Sequence, residues 1–193
     1  MNLLEELAIK YGTDKKADGG HGYTVHYSEY FEPLRLQELN ILELGVREGW
    51  SLRMWHEYFP NSQIWGIDND AEGRCPTGFD EDRIIFRLGN QDDSEFLAKL
   101  AQEAGNFDII IDDCSHISDL TIKSFEILFP YLKAGGIYVI EDLHVCDYGP
   151  YLRFGPSTLA YLESLDLVEK NIKVVSIMTD TICFIEKEGD GLQ

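Results

Sequence analysis

Basic residues are scarce in this sequence. It has 16 lysines and arginines against 35 aspartates and glutamates, a formal net charge of −19. The electrostatic field of a chain with this net negative charge repels nucleic acid and anionic membranes, so we expect neither as a partner. The same field attracts cationic ligands. No apolar run approaches the ~20 residues that span a bilayer. The first residues, MNLLEELAIKYG, carry acids where a signal peptide has basic residues, which predicts a cytoplasmic protein.

Two families of motif are also missing. The four cysteines are scattered and none forms C-x-x-C, so we expect reduced thiols and neither a zinc site nor a disulfide. The dinucleotide fingerprint G-x-G-x-x-G does not occur, which argues against an NAD-dependent enzyme.

The length of 193 residues suits one domain, 1–193, in which residues 1–38 form an N-terminal helical appendage. Beyond it, short apolar runs alternate with amphipathic segments, and Gly135-Gly136 is expected to end the helix before the fifth strand. Buried strands between helices predict an α/β, Rossmann-like, mostly parallel seven-stranded sheet with helices on both faces. A closing hairpin predicts an antiparallel last strand. The predicted strands are 40–44, 63–68, 83–88, 107–111, 137–140, 173–178 and 182–186.

In such a sheet, ligands bind at the carboxyl ends of the strands, so the residues after each strand are the candidates. The first strand runs into Gly45 and Gly49, spaced to form a tight turn that a ligand can approach. Asp68 ends the second strand, and its carboxylate can accept hydrogen bonds from both ribose hydroxyls of an adenosine. After the third strand, Asn90 and Gln91 either read an adenine edge or form a turn and helix cap.

The fourth and fifth predicted strands end in acids. Asp112 and Asp113 close one and lead to His116, and Glu141 and Asp142 close the other. Neighbouring parallel strands bring these carboxylates together, and they repel one another unless a cation is present. Oxygen ligands of this kind suit Mg²⁺, Mn²⁺ or Ca²⁺. An imidazole titrates near neutral pH, so His116 is a candidate general base; a structural histidine is the alternative.

These motifs together resemble the class I S-adenosylmethionine-dependent methyltransferases. More narrowly, they resemble the metal-dependent O-methyltransferases that modify deoxysugars of macrolides and other natural products, of mycinamicin and rhamnosyl-tetracenone type. The resemblance runs from about residue 10 to 143 and rests on the blocks KYGTDK, HGYTVHYSEYF, ILELGVREGWSLRMW, GID, GNQDD, FDIIIDDCSH and SFEILFPYLKAGGIYVIEDLH. Departures are Asn90 in a GDQ block, Cys114 in a DDGSH block, and the loop from Val145 to Tyr148, which is expected to touch the acceptor.

The resemblance implies roles for individual residues. It implies S-adenosylmethionine and Mg²⁺, or another divalent cation, as cofactors, with His116 as the general base. The metal ligands would be Asp113, Glu141 and Asp142. The implied cofactor-binding residues are Thr13, Lys15, Tyr23, Tyr27, Glu43, Gly45, Gly49, Asp68, Asn90, Gln91 and Asp112, of which the first four would fold over the cofactor as a lid.

The sequence therefore predicts a methyltransferase that acts on a hydroxyl of a small molecule, such as a sugar on an antibiotic, a nucleotide sugar or a surface polysaccharide. A metal-independent small-molecule methyltransferase and a non-catalytic S-adenosylmethionine-binding module are the alternatives. A homo-oligomer is left open.

Overall fold

The computed structural model describes residues 2–146, 148–179 and 181–189. Asp147, in the predicted acceptor loop, and Asp180, in the predicted hairpin turn, lie outside the described residues. Within those ranges, every helix is too short or too polar to cross a membrane.

Seven strands form one sheet in the order β3-β2-β1-β4-β5-β7-β6. Strands β1 to β5 run parallel to one another, whereas β7 is antiparallel to both β5 and β6. The Rossmann-like sheet and its reversed last strand are thereby confirmed. The strands are β1 (Asn40–Leu44), β2 (Gln63–Asp68), β3 (Ile84–Leu88), β4 (Phe107–Asp112), β5 (Leu132–Ile140), β6 (Ile172–Met178) and β7 (Ile182–Lys187).

Six α-helices accompany the sheet in the described residues, and three of them have side-chain caps. The Asn2 side chain accepts from the Glu5 amide, Asp93 accepts from two amides, and Ser157 accepts from the Ala160 amide. These oxygens satisfy backbone N–H groups that a helix start otherwise leaves unpaired. The helices are α1 (Leu3–Tyr11), α2 (Tyr23–Phe31), α3 (Trp50–Tyr58), α4 (Ser94–Ala104), α5 (Ser118–Leu128) and α6 (Thr158–Glu163).

Two hydrophobic cores flank the sheet. In β1, Ile41 belongs to one core and Leu42 to the other, because successive side chains of a strand point to opposite faces. Residues of α1, α2 and α3 fill the first core, and residues of α4, α5 and α6 fill the second. Tyr27 and Phe31 of α2 are fully buried in the first core. Tyr27, one of the four predicted lid residues, is therefore part of the main body.

The prediction for Gly135 and Gly136 was wrong. Helix α5 ends at Leu128, a 3-10 turn containing Pro130 follows, and both glycines lie inside β5, which begins at Leu132. Gly135 has φ +74°, and a Cβ on Gly136 would lie 2.8 Å from the Asp108 carbonyl oxygen. The β4–β5 register shifts at this point, so the glycines serve a bulge in the strand.

Candidate active site

A cleft of about 910 Å³ opens along the carboxyl ends of the parallel strands. The loops after β1, β2, β3, β4 and β5 all line it, together with the loop between α1 and α2. The strand order reverses direction between β1 and β4, and this switch point is where open α/β sheets bind ligands.

The turn after β1 lies against the turn after β4. Gly45 has φ +89°, and a Cβ on it would lie 2.0 Å from the Asp113 carbonyl oxygen. Gly49 precedes α3 with φ +78°, and a Cβ there would lie 2.6 Å from the Phe79 ring. Both positions therefore require glycine, one for contact between the two turns and the other for the start of α3.

The Asp68 carboxylate is fixed by backbone amides. Its Oδ2 accepts from the Val46 amide at 2.8 Å and the Arg47 amide at 3.1 Å, and its Oδ1 accepts from the Asp70 amide at 2.8 Å. Because Asp68 lines the cleft and is half-buried, an anchored acceptor of hydrogen bonds faces any ligand bound over the glycine turn.

Gln91 presents an unpaired donor in the same part of the cleft. Its Oε1 accepts from the Ser115 amide at 3.3 Å, whereas its buried Nε2 has no hydrogen-bond partner among the residues that the structure describes. Neighbouring Asn90 accepts a hydrogen bond from Asn69 at 3.1 Å. A buried N–H without a partner is costly, so Gln91 is suited to a ligand that accepts a hydrogen bond.

At the other end of the cleft, Asp113, His116 and Asp142 converge. One ligand atom from each lies within 4.8 Å of the others, which is a spacing that can hold a metal ion. His116 Nε2 is 3.5 Å from Asp142 Oδ2 and 3.9 Å from Asp113 Oδ1. Two carboxylates with an imidazole beside them, open to a polar cleft, fit a hard divalent cation that retains some of its water.

Two of these residues have a strained backbone. His116 and Asp142 both have φ +56°, in the left-handed region that disfavours side chains. Arg47 and Asp70, at φ +45° and +54°, also line the cleft. Strain of this kind costs about 1 kcal/mol or more per residue and is concentrated at functional sites.

Lys15, from the loop between α1 and α2, is buried among three carboxylates. Its Nζ lies 2.5 Å from Asp113 Oδ2, 2.8 Å and 2.9 Å from the two oxygens of Glu141, and 3.4 Å from Glu43 Oε1. Burial opposes the charged ammonium, but these carboxylates outweigh it and raise the pKa of Lys15 well above its usual value.

The remaining acids of the site are also held by the N-terminal segment. Tyr27 donates a short hydrogen bond to Glu141. Tyr23 donates to Asp142 Oδ1 at 2.6 Å, and His21 Nδ1 lies 3.1 Å from the same oxygen. Burial alone would raise the pKa of Asp142, but the Tyr23 hydrogen bond and the nearby imidazoles lower it, so this carboxylate is ionised.

The fully buried acids behave differently. Burial raises the pKa of Glu43 to about 7, although Lys15 opposes the shift. Burial also raises the pKa of Asp112 to about 6, against the hydrogen bond that Ser124 donates to it. Burial raises the pKa of Glu141 well above its usual value, with the Asp113 charge adding to the effect. These three side chains support the cleft from beneath.

The structure divides the predicted site residues into two sets. Those that line the cleft are Thr13, Lys15, Gly45, Asp68, Asn90, Gln91, Asp113, His116 and Asp142. The others lie behind the cleft wall, where side chains or backbone support it: Tyr23, Tyr27, Glu43, Gly49, Asp112 and Glu141.

Sequence reasoning assigned no role to His21 or to Tyr151, which both line the cleft. His21 is the first residue of the HGYTVHYSEYF block, and its place in that block was the one feature of the sequence that could have indicated a role for it. Its contact with Asp142 spans 121 positions, so no local pattern indicates it.

The strand order, the glycine turn after β1 and Asp68 at the end of β2 define a Rossmann-like methyltransferase fold. A putative caffeoyl-CoA O-methyltransferase from Staphylococcus aureus shares this fold, with a TM-score of 0.62 at 16% identity over 97% of this chain and 93% of its own. No family model matches the chain.

The comparisons then identify particular relatives and confirm the resemblance to sugar O-methyltransferases. The chain is 42% identical, over 147 residues, to 8-demethyl-8-(2-methoxy-alpha-L-rhamnosyl)-tetracenomycin-C 3'-O-methyltransferase of Streptomyces olivaceus and to mycinamicin VI 2''-O-methyltransferase of Micromonospora griseorubida. It also resembles the structure of MycE methyltransferase in complex with Mg, SAH and mycinamycin VI, with a TM-score of 0.85 at 35% identity.

These matches cover more of this chain than of its relatives. The aligned region is 72% of this chain but 36% of each of the two curated relatives. The MycE match covers 100% of this chain and 56% of the MycE chain.

Proposed function

We propose that this chain transfers the methyl group of S-adenosylmethionine to a hydroxyl of a sugar-bearing small molecule, with a divalent cation and His116 as general base. The observation that carries the proposal is that one cleft contains both halves of the chemistry. Gly45, Asp68 and Gln91 lie at one end, and Asp113, His116 and Asp142 lie at the other. The relatives described above support the same reaction class.

At the cofactor end, each residue has a hydrogen-bonding task that its environment leaves open. Asp68 accepts from the ribose hydroxyls while backbone amides hold it in place. Gln91 Nε2, which lacks a partner among the described side chains and backbone groups, donates to a ring nitrogen of the adenine. Gly45 allows the ligand to approach the backbone of the turn.

At the acceptor end, Asp113 and Asp142 would hold the cation. When bound, a divalent cation lowers the pKa of a hydroxyl and orients its oxygen. Glu141 remains a predicted third ligand, and its carboxylate is turned to Lys15 and Tyr27 in this structure. The sulfonium carbon and the oxygen must be aligned for in-line transfer, and two rigid strand ends provide that alignment.

His116 would remove the proton of the acceptor hydroxyl. Its Nε2 faces the cleft between Asp113 and Asp142, so the imidazolium that forms is stabilised by adjacent carboxylates. The positive φ of His116 sets the direction in which its side chain leaves the backbone after β4. General base catalysis of this kind contributes typically about 10²–10⁴-fold.

The acceptor would contact an apolar segment beside the cation site. Tyr148, Leu152 and Phe154 are exposed, and Tyr151 lines the cleft directly. The Arg153 guanidinium holds this segment to Asp119 through hydrogen bonds of 3.1 and 2.8 Å. A sugar attached to a large apolar body fits such a surface, because its hydroxyls reach the cation while the body covers the aromatic rings.

The net charge of −19 supports the further proposal that neither nucleic acid nor an anionic membrane is a partner. The cytoplasmic location, the single domain and the possibility of a homo-oligomer stay predictions.

Two measurements test the proposal. Calorimetry should show binding of S-adenosylhomocysteine and none of NAD⁺, and a methyl-transfer assay on a panel of glycosides should show turnover that EDTA removes and Mg²⁺ restores. Turnover indifferent to the chelator would establish the metal-independent alternative. Cofactor binding with no turnover on any acceptor would favour a binding module.

A further inference from the structure

We propose that Lys15 is an internal cation that competes with the divalent cation for the carboxylates of Asp113 and Glu141. The inference rests on the proposed function, because it concerns the same cation site. It assigns Lys15 a role as a positioning residue, distinct from the cofactor lid that the resemblance implies.

The surroundings of Lys15 are those of a bound cation. The residue is 1% exposed, and its ammonium contacts Asp113, Glu141 and Glu43 at 2.5 to 3.4 Å. The ammonium donates hydrogen bonds to Asp113 Oδ2 and Glu141 Oε2, and Glu43 Oε1 lies 3.4 Å away as a third negative neighbour. The negative charge of the same carboxylates would also attract a divalent cation.

Asp113 is shared between the two cations. Its Oδ2 binds Lys15, while its Oδ1 faces His116 in the group that can hold a metal ion. The proposed ion therefore lies one carboxylate away from a buried positive charge. Like charges at that distance repel strongly when water is excluded from between them.

Glu141 adds a second point of competition. It directly precedes Asp142 and is a predicted ligand, yet both of its oxygens lie against Lys15, and Tyr27 also donates to it. A divalent ion gains Glu141 only by taking it from Lys15. Ion binding is therefore weaker than the three predicted carboxylate ligands would otherwise allow, and it depends on where the loop between α1 and α2 lies.

The test measures Mn²⁺ binding directly, by electron paramagnetic resonance of the free ion during titration of the protein. Lys15→Met keeps an unbranched side chain and removes the charge. We expect it to bind Mn²⁺ roughly tenfold or more tightly than the unaltered chain. Lys10→Met is the matched control, because Lys10 pairs with Glu57 at the surface, and it should leave the affinity unchanged.

Loss of the buried ammonium leaves Glu43, Asp113 and Glu141 without their counter-charge, which can destabilise the fold. Circular dichroism therefore accompanies each titration. In a second variant, Lys15→Met is combined with Glu43→Gln, which removes one buried negative charge and keeps both contested carboxylates. This double variant should bind Mn²⁺ more tightly than Glu43→Gln alone.

Equal or weaker Mn²⁺ binding by the folded Lys15 variants, alongside measurable binding by the unaltered chain, would overturn the competition and leave the proposed function standing. If neither the unaltered chain nor any variant binds Mn²⁺, the cation site itself fails, and the proposed mechanism fails with it.

Discussion

The two ends of the cleft are built in different ways. At the cofactor end, Asp68 is held by amides of Val46, Arg47 and Asp70, which are at most 22 positions away. At the acceptor end, Asp113 is held by Lys15, which is 98 positions away, and Asp142 by Tyr23, which is 119 positions away. One end is made by neighbouring strand turns, and the other requires the N-terminal segment to dock on the sheet.

Because different contacts hold Asp68 and the pair Asp113 and Asp142, we expect that cofactor binding and cation binding can be lost independently. A change in the contacts of Tyr23 or Lys15 should disturb the carboxylates and spare Asp68, whereas a change at Asp68 should do the reverse. The first four predictions below therefore measure both halves.

The largest expected effect is that of chelation. EDTA should lower the rate of methyl transfer by about 10³-fold or more, because the hydroxyl loses the charge that lowers its pKa. Added Mg²⁺ should restore the rate. The dissociation constant of S-adenosylhomocysteine, measured by calorimetry with and without EDTA, should stay within about twofold, and a loss of cofactor binding on chelation would show that the halves are coupled.

Replacement of the proposed base comes next. His116→Ala should lower kcat by about 10²–10⁴-fold, because it removes the imidazole that takes the hydroxyl proton, and it should leave cofactor affinity unchanged. Steady-state kinetics and calorimetry give the two quantities. His56→Ala, a change at a surface histidine that pairs with Asp82, is the control and should retain full turnover. Normal kcat in the His116 variant would remove this residue from the mechanism.

Asp68→Asn tests the opposite half. Loss of the charge weakens the hydrogen bonds to the ribose and to the turn amides, so the dissociation constant of S-adenosylhomocysteine should rise about 10–100-fold. Mn²⁺ affinity should not change, since Asp68 is outside the group of Asp113, His116 and Asp142. Asp82→Asn, at a highly exposed position, serves as the control. Parallel loss of both ligands would mean that the variant distorts the whole cleft.

The acceptor surface should show a moderate effect. Tyr151→Ser removes an aromatic ring from the cleft wall, so KM for a glycoside acceptor should rise severalfold, and kcat and cofactor affinity should change little. Tyr131→Ser, in the 3-10 turn that follows α5 and outside the cleft lining, is a matched tyrosine control. An unchanged KM would place the acceptor elsewhere.

The smallest effect concerns stability. Burial raises the pKa of Asp112 to about 6 from an ordinary value of 3.8, so the folded chain binds more protons than the unfolded chain between these values. This stabilising contribution is complete below pH 3.8 and is lost as pH rises through about 6. Asp112→Asn abolishes that loss, so from pH 5 to pH 7 the variant should gain about 1 kcal/mol relative to the unaltered chain in urea unfolding. A constant difference across this range would show that the folded chain does not lose the Asp112 proton between pH 5 and pH 7, and would contradict the prediction.

Much of the fold was predictable from local pattern. Strands 40–44 and 63–68 were predicted with their observed bounds, because the apolar runs that define them act over a few residues. The error at Gly135 and Gly136 arose because a glycine pair after a helix has the same local pattern as a strand bulge. The register shift against β4 distinguishes the two, and it is a property of the paired strands.

The part of the candidate site that was predictable consists of residues that directly follow neighbouring parallel strands, because the ends of these strands lie side by side. Asp113 and Asp142 follow neighbouring strands and do converge, and Gly45, Asp68 and Gln91 do line one cleft with them. The position of a strand end could not show which of two adjacent acids, Asp112 or Asp113, faces the cleft. Asp112 lies within β4 and points into the core with Ser124, whereas Asp113 lies beyond the strand and faces the cleft.

Local sequence pattern is enough to predict the order in which chemical groups follow the strands along the chain: a glycine turn, an acid, an amide and two acidic strand ends. Which of the carboxylates stay open to the cleft depends on contacts between distant residues. Lys15 and Tyr27 reach Glu141 across more than a hundred residues, and Tyr23 and His21 reach Asp142 in the same way. The reason is physical: a buried charge is stable only beside its partner, and that pairing exists only once α2 has packed on the sheet.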